Sequence, residues 1–331
     1  MSQTVILYFT EQGEKLAEYL EQQLPGMALR PKKGELMDMV AKWFSQADAL
    51  VFIGACGIAV RAIAPLIASK VSDPAVIVLN EQGRHVISLL SGHIGGANAL
   101  AKRIAKLTGG EAVITTATDV ENRFSADAWA AAHDCAIDSM ETAKTYAAQI
   151  LRRDLPLYTA FAVEGELPGG VYPGDHGDLG LTISVKEKDH PFDETLRLIP
   201  RIVCLGVGCR RGTPKEKMEA AIRHALELNE IDKRAVCAAA SIDVKKDEAG
   251  LIACCAENSW PLTFYSAEEL RAVPGTFSAS DYVLKTVGVD NVCERAAMAL
   301  AGEGARLLVL KTAYDGVTVA AAQKKWSVSF E

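Results

Sequence analysis

Apolar residues along the chain follow two rhythms. Short continuous apolar runs read as buried strands, and stretches with apolar residues every three or four positions read as amphipathic helices. In the first third, strands expected at 5–9, 49–53, 75–79, 86–90 and 112–116 alternate with helices at 13–24, 36–44 and 95–107. A further helix follows Gly54-Ala55-Cys56-Gly57, and Pro65, which has no amide hydrogen, interrupts or kinks it. A turn around Gln82-Gly83 separates two of the strands. Between 135 and 199 the pattern changes. A helix at 139–151 leads to a strand at 156–162, then to a stretch at 165–180 dense in Gly, Pro and Asp that predicts a long surface loop. A strand at 181–185 and a polar stretch to Pro200 follow. The alternation then restarts, with strands at 201–205, 235–242, 262–265 and 307–311 and helices at 214–228, 247–256, 267–271 and 292–300. Residues 317–322 read as a last strand or an extended edge. The predicted fold class is α/β: two α/β domains with mostly parallel sheets, 1–134 and 200–331, joined by a small middle module, 135–199.

Composition narrows the function. The 331 residues are 49% hydrophobic and 23% charged, as in ordinary globular proteins. A net charge of −7 argues against general binding to nucleic acid or membrane surfaces, which favour basic proteins. Any anion site is therefore a local basic pocket on an acidic body. No apolar stretch reaches the roughly 20 residues that span a bilayer. The first residues, with no basic leader before the strand at 5–9, read as part of the fold, so the expected location is the cytoplasm. The eight cysteines form no Cys-x-x-Cys pair and no zinc spacing, and they read as reduced, buried thiols.

Two glycine-rich segments follow predicted strands and precede predicted helices, where α/β sheets place ligands. The first is Ser91-Gly92-His93-Ile94-Gly95-Gly96-Ala97-Asn98. The imidazole of His93 titrates near neutrality and can give or take a proton, although a turn histidine also serves as a plain hydrogen-bonding group. Asn98, in the first turn of the next helix, can point into the same pocket. Ser91 lacks the Gly-x-Ser-x-Gly context of a covalent nucleophile. Glu81 and His85 fall at the opposite strand end.

The second segment is Gly206-Val207-Gly208-Cys209-Arg210-Arg211-Gly212-Thr213-Pro214. Thr213 and Glu216 fit a capping box around Pro214. Free N–H groups of the turn and the forks of Arg210 and Arg211 suit a carboxylate. Lys245 adds positive charge at the same expected sheet edge, or sits in a solvated loop. Gly206, Gly208 and Gly212 miss the dinucleotide fingerprint by one residue, and no Walker-type ending is present. The competing reading is that the glycines only make tight turns and the arginines form a solvated face. Glu294 and Arg295, at a helix start, read as a structural pair.

With Gly54-Ala55-Cys56-Gly57-Ile58-Ala59-Val60-Arg61 added to the first segment, the N-terminal part resembles the cobalt-precorrin-5A hydrolase (CbiG) family of cobalamin biosynthesis. The segments 206–213, 241–248 and 288–296, with Lys311, resemble that family's C-terminal domain. The resemblance runs from about residue 50 to the end, and the middle module matches least well. It implies an enzyme of the anaerobic route to vitamin B12 that opens the δ-lactone of cobalt-precorrin-5A, releases acetaldehyde and gives cobalt-precorrin-5B. The implied substrate is a tetrapyrrole with many carboxylate arms. Cobalt is carried by that substrate, so neither a cofactor nor a protein metal site is expected. Transient contact with other enzymes of the pathway is the expected partnership. Under this reading His93 is a general base or a proton donor, with Ser91 and Asn98 beside it, and N–H groups near Gly95 and Gly96 hold an oxyanion. Gly54, Gly57, Arg61, Gly92, Gly206, Gly208, Arg210, Arg211, Gly212 and Lys245 contact the substrate. The alternative is a non-catalytic carrier of the same corrinoid.

Overall fold

Residues 49–53 are apolar without exception and all are buried, which suits a strand covered on both faces. A computed structural model, describing residues 3–69 and 72–330, places this strand in the middle of a sheet. The chain divides into two compact units. Unit 1 comprises residues 3–133, 143–154 and 168–171, and unit 2 the remainder.

Unit 1 is built on six strands: β1 (Thr4–Tyr8), β2 (Gly26–Leu29), β3 (Ala49–Ile53), β4 (Ala75–Leu79), β5 (His85–Leu90) and β6 (Glu111–Val113). Their order is β2-β1-β3-β4-β5-β6, and every pair is parallel except β4–β5. One face packs on the helices Glu11–Gln23 and Ala97–Thr108 through Leu20, Ala101 and Ile104. The other packs on Leu36–Phe44 and Cys56–Ile63 through Val40, Ala59 and Ile63. The Cys56–Ile63 helix stops before Pro65, and a single 3-10 turn follows. Strand β2 escapes the sequence pattern because it is a short edge strand with none of its residues fully buried.

Unit 2 holds strands β7 (Cys135–Ile137), β8 (Leu155–Thr159), β9 (Val163–Glu164), β10 (Val171–Pro173), β11 (Leu179–Ile183), β12 (Glu194–Pro200), β13 (Val203–Cys209), β14 (Val236–Ile242), β15 (Leu262–Tyr265), β16 (Arg306–Tyr314), β17 (Val317–Gln323) and β18 (Val328–Ser329). One sheet has the order β10-β8-β11-β12-β7, a second β15-β14-β13-β17-β16, and β9 pairs with β18. The polar stretch expected before Pro200 is instead the buried strand β12. Its Arg197 is only 3% exposed because it pairs with Asp232 at 3.2 Å and donates to the Lys186 carbonyl. The expected 165–180 loop contains β10. Residues 317–323 form an interior strand, antiparallel to both β13 and β16. The two larger sheets of this unit share a core, in which Val185 and Ile199 pack with Val203, Leu205 and Ile222. The short helices Ala117–Val120, Ala126–Ala132 and Asp281–Val287 had no periodic apolar stripe to reveal them. Among the described residues, no helix is long and apolar enough to cross a membrane.

Candidate functional site

In unit 1, β5 ends on a loop that doubles back tightly on itself. Ala97 N–H donates to the Ser91 carbonyl, Asn98 N–H to Gly92, and Gly96 N–H to His93. A Cβ on Gly92 would lie 2.8 Å from Asn98 Oδ1, and one on Gly95 2.4 Å from the Ser91 Cβ. Both glycines are thus demanded by close packing within the loop. Gly96 and Ser91 adopt φ of +80° and +57°; for a non-glycine residue such a value is uncommon. The hydroxyl of Ser91 is buried and makes no hydrogen bond among the described residues. Because Gly96 N–H is occupied by the His93 carbonyl, it cannot serve an oxyanion as expected.

His93 projects from this loop into a carboxylate clamp. Its Nε2 lies 3.1 Å from Asp119 Oδ2, and its Nδ1 lies 3.3 Å from Asp127 Oδ1. The Thr118 hydroxyl is 3.3 Å from Nε2. Asn98 reaches the same cluster, donating through Nδ2 to Asp119 at 2.9 Å and to the Thr116 hydroxyl at 3.0 Å. Thr116 and Lys102 also donate to Asp119. The hydrogen bond to Asp127 is the main reason the His93 pKa is raised; burial opposes it, and the charge of Asp127 and the contact with Asp119 add to it. Burial pushes the Asp119 pKa up, but hydrogen bonds from Thr116, Lys102 and His93 outweigh it and hold the carboxyl below its usual value. A carboxylate at each ring nitrogen stabilises the imidazolium relative to the neutral ring, which is the direction in which the His93 pKa moves.

Asp119 and Asp127 were missed by sequence reasoning. Asp119 stands 26 residues beyond His93, in the short helix Ala117–Val120, and Asp127 opens the helix Ala126–Ala132. Only the Thr116-x-x-Asp119 and Ser125-x-Asp127 spacings hint at helix starts, and neither points to His93. The remaining expected residues of this unit lie apart from the cluster. Gly54 N–H donates to the Leu79 carbonyl, and its Cα faces the Phe9 ring. Gly57 and Arg61 lie on the helix Cys56–Ile63, where Arg61 is exposed.

In unit 2 the second glycine segment is mostly strand rather than turn. Gly206 and Gly208 lie within β13. A Cβ on Gly206 would fall 1.8 Å from the Cys293 carbonyl oxygen, so this glycine admits the helix Cys293–Ala301 against the sheet. Only Gly212, at φ +74°, makes the turn. Its N–H does meet a carboxylate, but that of Glu248, at 2.6 Å, and Lys245 Nζ lies 3.2 Å from the same group. The expected capping box is absent: Pro214 is the N-cap, and the Thr213 hydroxyl donates to the Arg210 carbonyl. Arg211 is closed on Asp247 at 2.9 Å and on the Val244 carbonyl. Arg210 makes no ion pair among the described residues. Glu294 and Arg295 do not pair with each other. Fully buried Glu294 accepts from Ser278, Asn291 and the Lys311 N–H, while Arg295 engages Asp290. Beside β13 and β14 lies a cavity of about 740 Å³ onto which Arg210, Lys245 and Lys311 open. Among the described residues, no group of three or more His, Cys, Asp or Glu could hold a metal ion.

Comparison with known proteins links the two units to one family. The family model described as cobalamin synthesis G N-terminal matches residues 38–119, and that described as cobalamin synthesis G C-terminus matches 203–322. The cobalt-precorrin-5A hydrolase of Salmonella typhimurium is 37% identical over 286 residues, 82% of this chain and 81% of the relative. A protein of the same name from Priestia megaterium is 29% identical over 308 residues, 87% of this chain and 82% of the relative. A solved structure of CobE, a protein from the cobalamin (vitamin B12) biosynthetic pathway, has a TM-score of 0.36 at 34% identity and covers 38% of this chain and 93% of its own. Two family models matched in order, with a relative at 37% identity across most of both chains, establish that this chain belongs to the cobalamin synthesis G family.

Proposed function

We propose that the chain is a cobalt-precorrin-5A hydrolase, opening the δ-lactone of its substrate and releasing acetaldehyde to give cobalt-precorrin-5B. The names of the relatives support the activity. The observation that carries a chemical role is His93 held between Asp119 and Asp127. Water adds to the lactone carbonyl and releases one proton to solvent, and the ring C–O bond breaks to leave the carboxylic acid and an alkoxide. The His93 imidazolium, with a substrate oxygen replacing one carboxylate at its ring, protonates the departing alkoxide. The neutral imidazole then takes this proton back as the alcohol becomes the carbonyl of acetaldehyde. The electron pair of the broken C–C bond passes to the macrocycle, which takes up a proton at that carbon. Asp119 and Asp127 hold the ring in place and favour its charged form, and Asn98 keeps Asp119 oriented. Ser91, Gly92 and Gly95 shape the loop that presents His93.

The cobalt belongs to the substrate, and this reading asks for no further cofactor. The working compartment is the cytoplasm, with transient contacts to enzymes of the same pathway. The test is to incubate purified protein with cobalt-precorrin-5A and trap acetaldehyde. Wild-type protein releases it, and His93→Ala lowers turnover by about 10²-fold or more with the fold intact by circular dichroism. Wild-type protein that binds the macrocycle without releasing acetaldehyde is a carrier, and the hydrolase reading fails. Near-wild-type turnover in His93→Ala removes His93 from the chemistry.

A further inference from the structure

In unit 2, strands β13 and β14 bring two thiols together. Their parallel register pairs Val203 with Val236 and then Cys204 with Ala238, so Cys237 is the extra residue of a β-bulge. A bulge re-aims side chains, and beside this one Cys237 meets Cys204. The two Sγ atoms lie 3.7 Å apart, although the residues are 33 positions apart in sequence. A disulfide needs about 2.05 Å, so the sulfurs have to close by roughly 1.6 Å. The buried neighbours of Cys204 are Ala297, Ala301 and Ala322, whose methyl groups obstruct a side-chain rotation least.

The two thiols are not equivalent. Cys204 is fully buried, whereas Cys237 is half-buried. The Cys237 thiol donates to the Val203 carbonyl at 3.4 Å, which leaves Cys204 as the donor between the sulfurs. A cation completes the group. Lys324 stands two residues beyond Ala322, which lies opposite Cys204, and its N–H donates to the Ile202 carbonyl. The hydrogen bond from Cys204 does most to lower the Cys237 pKa; burial opposes it, and the Lys324 ammonium adds to it. Burial instead pushes up the thiols of Cys209, Cys254, Cys255 and Cys293. A half-buried thiol beside a cation and a second thiol is the setting of a reactive cysteine, and a thiol in an apolar core is that of an inert one.

We propose that Cys237 and Cys204 form a reversible redox pair, in which a hydroperoxide oxidises Cys237 and Cys204 closes the disulfide. The Cys237 thiolate attacks the terminal peroxide oxygen, the O–O bond breaks, and the departing oxygen takes up a proton to leave as water or an alcohol. The product is a sulfenic acid on Cys237. The Cys204 sulfur gives up its proton and attacks the Cys237 sulfur, the S–O bond breaks, and hydroxide leaves with that proton as water. The two thiols together lose two electrons and two protons, and the hydroperoxide is reduced. The disulfide clips β13 to β14 across the bulge, and a dithiol reverses it. This pair is independent of the hydrolase reading.

The whole reduced chain is treated with hydrogen peroxide, unfolded, alkylated and mapped by mass spectrometry. A Cys204–Cys237 cross-link that dithiothreitol removes is expected to form at least tenfold faster than Cys254, Cys255 or Cys293 is oxidised. It should also form faster in the folded chain than in urea, because the fold brings the sulfurs together. Cys204→Ser lacks the second thiol, so its Cys237 stops at the sulfenic acid, which dimedone traps. Cys237→Ser keeps Cys204 reduced. Absence of the cross-link in the wild-type protein, or its formation no faster in the folded chain than in urea, overturns the pair without recourse to either variant. Dimedone labelling of Cys204 in Cys237→Ser as strong as that of Cys237 in Cys204→Ser overturns the assignment of Cys237 as the attacking thiol.

Discussion

Replacing Asp127 by Asn keeps the shape of the side chain and removes the charge behind the hydrogen bond that does most to raise the His93 pKa. At the observed 3.3 Å, unit charges attract by about 1.3 kcal/mol in bulk water and about 5 kcal/mol at an effective dielectric constant of 20. The side chains are 20% and 17% exposed, so the pair lies between these limits, and part of the attraction is spent on desolvation. A hydrogen bond to a charged group is worth about 1.5–3 kcal/mol net, which sets the expected loss of stability in Asp127→Asn. The pH dependence is more diagnostic than the size. A raised folded-state pKa means that the ring's coupling to the carboxylates stabilises the protein fully below its unfolded value, near 6.5. This contribution fades as the pH rises through the folded-state value. The stability gap between wild type and Asp127→Asn should therefore be widest in mild acid and should narrow in alkali. Urea denaturation across pH measures the gap, and an NMR titration of the ring follows its midpoint, which should fall in the variant. An unmoved midpoint, or a gap that is the same at every pH, would show that Asp127 does not hold the proton on His93.

Two further outcomes follow from packing and buried polarity. Gly206→Ala forces a Cβ to within 1.8 Å of the Cys293 carbonyl, so the helix Cys293–Ala301 must shift. A loss of about 3 kcal/mol or more in chemical denaturation is expected, and a loss within ~0.5 kcal/mol would mean that the helix does not pack there. Glu294→Ala strands donors on Ser278, Lys311 and buried Asn291, and the Asn291 amide alone costs about 1–3 kcal/mol where water does not replace the carboxylate. Glu294→Gln should recover part of that loss, because its carbonyl still accepts. An equal loss in both variants would show that volume, not hydrogen bonding, is what Glu294 supplies.

The sequence alone determined what depends on neighbours in the chain. Apolar runs marked β1, β3 and β4 because a strand covered on both faces needs an uninterrupted run. The break at Pro65 was legible because proline removes a helical donor. His93 and Asn98 stood out because their chemistry and spacing are local, and the fold does bring them to one cluster. Tertiary structure decided what depends on partners far along the chain. Asp119 and Asp127 reach His93 only when two short helices fold against its loop, and that proximity is what raises the His93 pKa. The residues before Pro200 read as a polar stretch, and only the fold shows Arg197 of β12 buried against Asp232. Gly206, Gly208 and Gly212 looked alike on paper. Yet the first makes room for a helix, the second lies within a strand, and the third donates its N–H to Glu248. A glycine is marked in sequence by what it lacks, and only the packed fold shows which atom occupies the space left free.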